Sequence, residues 1–242
     1  MERTSTSVVS SKQQARANRI LDVAADLLLR WGYKRVTIQE VASRAGIGAG
    51  TIYLHWKTRE ALFETVLLRE MVIVWRTLIE RLRTDPEEIF PHRMMSSLLL
   101  IVVKRPLAHA LATGAQDVLG ALAGHGFEQA MLSQETMIPQ EFWTQLSHAG
   151  LLRPEENVAA QSYAFRATVT GFFTTAPSGE GEEQLPPDER ARMLAQTIRR
   201  AFEPEILPEK DALQAVASRS IAWLEQACEI CEQHMRQKTP NE

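Results

Sequence analysis

Thr51, Tyr53 and His55 alternate with apolar neighbours along Gly50-Thr51-Ile52-Tyr53-Leu54-His55-Trp56. A hydroxyl, a phenol and an imidazole all offer hydrogen-bond donors and acceptors. On a short helix that turns Ile52 and Trp56 inward, these groups face outward and can reach base edges in a DNA major groove, where each good bidentate pair is worth roughly 1–3 kcal/mol. Arg44 is a further candidate. Gly48, Ala49 and Gly50 can offer only backbone or methyl contacts, so direct base readout rests on few side chains. Phosphate neutralisation by Lys and Arg dominates nucleic-acid affinity and makes it salt-dependent, and Lys12, Arg16, Arg19, Lys57 and Arg59 are the candidates for it. For each of these charges the plain alternative is a solvated surface residue.

Elements that could hold such groups are marked at nearly every boundary. Ile20, Ala24, Leu27, Leu28 and Trp31 share one face at helical spacing, and Gly32 follows as a left-handed stop. Thr37-Ile38-Gln39-Glu40 is a capping box, which opens a brief helix whose Ile38, Val41, Ala42 and Ala45 form a buried side. Gly46 supplies the positive-φ turn and Ile47 anchors it. The outward-facing stretch at 50–56 comes next. Thr58 then caps a longer helix beginning Arg59-Glu60-Ala61-Leu62-Phe63, whose first-turn N–H groups can hold a phosphate oxygen.

Along about 45 residues without a gap, this stretch resembles the N-terminal domain of the tetracycline-repressor (TetR) family of bacterial transcriptional regulators. The resemblance is carried by Thr37 at the start of the second helix, by Ala45 to Trp56 as turn and recognition helix, and by Arg59 to Leu62 opening the fourth helix. Gly48 departs from the family's frequent Ser or Thr cap, and Ala49 from a common polar residue. The resemblance implies an all-α fold, with an N-terminal three-helix helix-turn-helix DNA-binding domain joined to a larger helical ligand-binding and dimerisation domain. It implies DNA contacts at Thr37, Arg44, Gly48, Ala49, Gly50, Thr51, Tyr53, His55, Lys57 and Arg59. The expected division is a flexible polar arm at 1–12, the DNA-binding domain at 13–60 and the effector and dimer domain at 61–242.

Composition is consistent with this expectation. A chain of 242 residues that is 45% hydrophobic has room for a small head and a larger body with its own core. Residues 1–60 hold ten Lys or Arg against five Asp or Glu, a formal +5, so with the whole chain at −3 the remainder stands at −8. The basic end is the expected DNA end. Leu98 to Val103 is the longest strongly apolar run, far short of a membrane span. The polar start has no apolar signal core, so a cytoplasmic protein is expected.

Beyond residue 63 the pattern stays helical. A connector runs to Asp85-Pro86, and helices are expected over 90–103, 107–121, 157–175, 187–202 and 210–238, with 127–137 and 140–149 as one bent helix or two and a Pro-, Gly- and Glu-rich loop near 177–187. The apolar set of the last helix, Leu213, Val216, Ile221, Leu224, Ala227, Cys228 and Cys231, needs cover from either the body or another subunit. A palindromic double-stranded operator needs two recognition helices about 34–36 Å apart, so a homodimer is expected, and the resemblance assigns its contact to about 157–203. The resemblance also implies a small, largely apolar effector held among the middle helices. Its candidate contacts are Trp75, Met95, Leu99, Phe127, Met131, Trp143, Tyr163 and Phe173, with His109, Gln116, Arg166 and Thr170 as polar groups; residues of these types are more often plain core.

Other chemistry is weakly supported. Cys228, Cys231 and His234 make a C-x2-C-x2-H pattern on a helix, but zinc normally takes a fourth ligand and usually loop-borne thiols, so no metal or other cofactor is expected. Two cysteines suggest no disulfide framework, and no basic cluster points to a redox thiol. No nucleophile elbow, phosphate loop or dinucleotide fingerprint is present. The expectation is therefore a repressor without enzymatic activity. The alternatives are an architectural DNA binder without effector control, or an all-helical ligand-binding protein or enzyme using His92, His109 or His125 as a base.

Overall fold

A computed structural model describes residues 3–124, 140–175, 185–206 and 208–238, and among them every regular element is a helix. α1 spans Arg3–Trp31. Ala17, Ile20, Leu21, Ala24, Leu27 and Leu28 form its buried stripe. One expectation changes here. Trp31 is 38% exposed rather than packed, since the stripe passes through Leu21 instead. The helical backbone of α1 reaches back over residues 3–12 of the expected arm, where no Gly or Pro interrupts propagation from the buried turns.

α2, Ile38–Ala45, opens with the capping box as read: Thr37 Oγ1 accepts from the Glu40 N–H and the Glu40 carboxylate accepts from the Thr37 N–H. Gly46, at φ 68°, closes α2 through bonds to Ala42 and Ser43. α3, Ala49–His55, buries Ile52 and ends at Trp56, whose indole N–H donates to Thr65 Oγ1 at 3.0 Å. That bond pins the end of a seven-residue helix to α4, the Arg59–Thr84 connector. At 1.5 Å per residue α4 is about 39 Å long. It carries buried residues from Leu62 to Leu82 on more than one face, because the head packs on one end and the body wraps the other.

The body follows. A 3-10 turn at Pro86–Ile89 leads to α5 (Pro91–Val103), then α6 (Pro106–Thr113), both helices starting on proline. The single helix expected over 107–121 is interrupted: Gly114 ends α6, and α7 (Gln116–Leu119) and a 3-10 turn at Gly120–Gly124 follow. α8 is Gln140–His148, α9 Val158–Thr174, α10 Pro187–Phe202 and α11 Lys210–Lys238. The helix expected over 127–137, and 177–184 of the expected loop, lie outside the described residues. Among the described residues no single helix is long and apolar enough to cross a membrane.

α11 runs antiparallel along α4. Arg76 pairs with Glu232, Arg83 with Glu225, and Lys238 at its end with Glu64 near the start of α4. Leu213, Val216, Ala217, Ser220, Leu224, Cys228 and Cys231 are its buried side, so this chain's own body covers the apolar stripe. α10 packs on α5, where His92 donates its backbone N–H to buried Glu203 at 2.7 Å and its Nδ1 lies 2.8 Å from the same carboxylate. Arg105 reaches Glu70 on α4 with two bonds of 2.6 and 2.8 Å. Head and body also meet away from α4. The Tyr33 N–H donates to Val118 O at 2.8 Å, and at Gly32 (φ 70°) a Cβ would lie 2.1 Å from Asp117 O, so only glycine fits that corner.

Candidate nucleic-acid interface and body cavity

α3 is supported on three sides: by the Gly46 turn, by buried Ile52, and by Trp56 on α4. Its other face is open. Tyr53 is 47% exposed and Leu54 73%, with Thr51 and His55 half-buried on the flanks and the His55 ring 5.4 Å from that of Trp56. A Cβ added at Gly48 or Gly50 would meet nothing within 4 Å. The fold does not require glycine at either place, and both leave room for a close neighbour beside the backbone. Lys57 and the side chains of Arg16 and Arg19 are exposed; the Lys12 side chain lies outside the described residues.

Three of the expected contacts are engaged within the chain. The Thr37 hydroxyl donates to Glu40 Oε2 at 2.9 Å while accepting from the Glu40 N–H, so the cap already uses it. Arg44 pairs with Asp26 at 3.1 Å and sits 5.5 Å from the Trp31 ring centroid, although its side chain is still 45% exposed. Arg59 turns inward: its Nε donates to Val36 O at 2.9 Å, its Nη2 to Tyr33 O, and its guanidinium lies 3.9 Å from the Tyr33 ring centroid. It ties the start of α4 to the α1–α2 corner. Beside it the Glu60 carboxyl is held below its ordinary range by its own backbone N–H, with help from the Tyr33 hydroxyl at 3.0 Å. Leu54 on the same outward face was not among the expected contacts, because an apolar side chain carries no polar signal for contact in the sequence.

The second feature is a cavity of about 150 Å³ between α4, α5, α6, α8, α9 and α11. Of the expected contacts, Trp75, Met95, Arg166, Thr170 and Phe173 line it. Leu99 does not, being fully buried in the core, and neither do half-buried His109 or exposed Gln116. Trp143 does not line it but packs edge-on to Phe165 at 4.9 Å, and Tyr163 is 68% exposed on the outer side of α9. Phe127 and Met131 lie outside the described residues. The sequence reading missed α11's share of the lining, Ser220, Trp223 and Leu224, with the Trp223 ring stacked 6.3 Å from Phe142. Leu224 belongs to the apolar stripe of the last helix; Trp223, one position off that stripe, carries no separate signal in the sequence.

The remaining candidates do little. Burial raises the Cys228 thiol pKa, and burial with Cys228 as neighbour pushes Cys231 up to about 12, the reverse of a reactive or metal-binding thiol. His234 Nδ1 lies 2.9 Å from Ile230 O on its own helix, and among the described residues no three His, Cys, Asp or Glu side chains form a metal cluster.

Residues 20–66 match the family model described as bacterial regulatory proteins, tetR family. The chain is 29% identical over 136 residues to the HTH-type transcriptional repressor KstR of Rhodococcus jostii, covering 52% of this chain and 64% of that repressor. It is 42% identical over 59 residues to the uncharacterised HTH-type regulator YhgD of Bacillus subtilis, covering 23% of this chain and 31% of that protein. The alignments thus span less than two-thirds of these relatives. The crystal structure of a gamma-butyrolactone receptor (ArpA-like protein) shares the fold with a TM-score of 0.50 at 19% identity, covering 89% of this chain and 98% of that one.

Proposed function

This chain belongs to the TetR family of bacterial transcriptional regulators, and from that premise we propose that it is a repressor that binds a palindromic operator as a homodimer and is released by a small, largely apolar effector. The observation that carries the DNA part is the open face of α3, where Thr51, Tyr53, Leu54 and His55 project from a helix too short to stand alone and held in place by Trp56. Tyr53 and Leu54 are the residues for base readout, the leucine through thymine methyl groups. Thr51 and His55 flank them, Gly48, Ala49 and Gly50 admit the DNA backbone, and Lys57 with Arg16 and Arg19 neutralises phosphates. Arg44 reaches the same surface from its Asp26 pair.

The homodimer uses α9 and α10. α9 carries a single charged residue, Arg166, along 17 positions, and its solvent side presents Val158, Ala159, Ala160, Tyr163, Ala164 and Ala167, an apolar face suited to a second copy. The cavity supports the effector part, because four of its lining residues, Met71, Val74, Trp75 and Leu78, sit on the helix that carries the head. An occupant that favours one placement of α4 shifts DNA affinity by its coupling free energy, typically 1–3 kcal/mol.

The test is selection of bound duplexes from a random pool, followed by anisotropy titration. Preference for one palindrome by about a thousandfold or more is expected of a specific regulator. Equal affinity for every duplex would identify an architectural binder, and failure to retain any duplex at low salt would sink the DNA assignment. A stable monomer by light scattering at micromolar concentration would sink the dimer.

A further inference from the structure

Arg166 is the one charged residue among the described residues lining the cavity. Apart from the hydroxyls of Thr170 and Ser220, the other walls are thioether, aliphatic or aromatic: Met71, Trp75, Met95, Leu98, Trp223 and Phe173 among them. α9 turns Arg166 inward because its inner face repeats Ser162, Phe165, Val169 and Phe173, and position 166 falls beside that line. The side chain is half-buried and has no ion-pair or hydrogen-bond partner among the described residues. Elsewhere the comparably placed arginines are all engaged: Arg59 on carbonyls, Arg93 on Asp85, Arg105 on Glu70 and Arg190 on Phe172 O. The body carries a formal −8, yet no Asp or Glu among the described residues lines this cavity. Among the described residues, then, this guanidinium faces an apolar chamber without the carboxylate counter-charge that usually accompanies a buried arginine.

On the reading of this cavity as the effector site, we infer that the effector is a small amphipathic carboxylate, its acid group paired with Arg166 and its ring or chain among the methionine and tryptophan side chains. The planar fork of arginine matches a carboxylate through two parallel N–H···O bonds. A phosphate monoester, nearly dianionic, would call for more than one cation and a wetter wall. Thr170 and Ser220 are the neighbouring hydroxyls; Ser220 donates to Val216 O at 2.9 Å, which leaves its oxygen able only to accept. The anion is therefore held from the α9 side. The apolar tail lies towards α4 and α11. A cavity of about 150 Å³ is of the size that takes a benzene ring, so with some adjustment of the methionines the occupant has roughly six to ten carbons.

Trp75 and Trp223 in the wall make tryptophan emission a direct readout that does not depend on DNA. The probes are two matched pairs, octanoate with 1-octanol and 4-phenylbutyrate with 4-phenylbutanol, titrated into the full-length protein. The acids are expected to produce a saturable emission change at concentrations at least about tenfold lower than their alcohols. In Arg166→Gln that preference disappears while the alcohols bind as before, and Arg166→Lys, which keeps charge but not the fork, falls between. Far-ultraviolet circular dichroism checks that each variant is folded, and the wild-type acid-to-alcohol comparison stands without any variant. Alcohols binding as tightly as acids, or Arg166→Gln keeping the acid preference, overturns the carboxylate assignment while the effector cavity survives. No saturable change with any of the four overturns both. Acid binding that leaves DNA retention unchanged supports the assignment and removes the switch.

Discussion

Arg59 holds the head together from within, whereas Gly50 is a position where we propose that a partner's backbone comes close. Arg59 bonds to two carbonyls and lies on the Tyr33 ring, so Arg59→Ala is expected to destabilise the protein by about 2 kcal/mol, counting the lost charged donors and the cation–π contact. Differential scanning calorimetry should show a melting point several degrees lower. Arg59→Lys should not rescue it, since an ammonium lacks the fork; full rescue would mean that charge alone matters there, as for a phosphate contact. Gly50 gives the opposite signature. With open space where its Cβ would be, Gly50→Ala is expected to keep or raise thermal stability, by up to about 1 kcal/mol from helix propensity, while operator affinity falls. Unchanged affinity would mean that no DNA backbone approaches this turn. Cys231 is a third case. Its pKa of about 12 arises first from burial, so the fold favours the neutral thiol. That contribution is complete below the ordinary thiol value near 9 and is lost as pH rises from there through about 12. At pH 8 the native protein should react with a thiol reagent on the order of a thousandfold more slowly at this site than the unfolded chain; fast labelling in native buffer would refute its placement.

At the scale of elements, the head was nearly all legible in the sequence. The capping box, the Gly46 turn and the Thr58 cap act within a few residues of themselves, so their types fix their conformations before any tertiary contact forms. The start of α10 on Pro187 and the bounds of α11 were legible for similar local reasons. The stretch 107–121 was not, because its apolar spacing runs across Gly114 and only the cost of packing α7 against the head shows that the chain breaks there. α11 carries another element-scale consequence. It covers α4 along its length and contributes Trp223 to the cavity, so removing residues 210–238 should expose buried apolar surface and abolish a cooperative thermal transition. Persistence of the wild-type transition would show the helix to be a peripheral appendage. Its exposed ion pair Arg83–Glu225 should matter little, and Glu225→Gln is expected to change stability by less than about 1 kcal/mol.

At the scale of the whole molecule, a cavity occupant has two routes to the head. One is α4, whose Met71 and Trp75 line the cavity and whose Arg59 holds the α1–α2 corner. The other runs through α6, where Ala108 and Leu111 line the cavity, to α7, where Val118 O receives the Tyr33 N–H. Gly32→Ala strikes the second route, since the added methyl would meet Asp117 O. Operator binding should persist while effector release is diminished, readable by anisotropy with and without ligand; release of wild-type extent would leave α4 as the sole connection. By itself the sequence determined the helices of the head, the polarity of charge along the chain and the TetR-type resemblance of residues 20–66, because capping, turn chemistry and amphipathic period are interactions between near neighbours. Only the tertiary structure decided that Arg59 is internal and Leu54 outward, that α11 closes on its own α4, and which of the candidate residues surround the cavity. Those outcomes depend on which faces meet across more than a hundred residues of chain, and a one-dimensional pattern of apolar and polar positions is the same whichever partner each face finds.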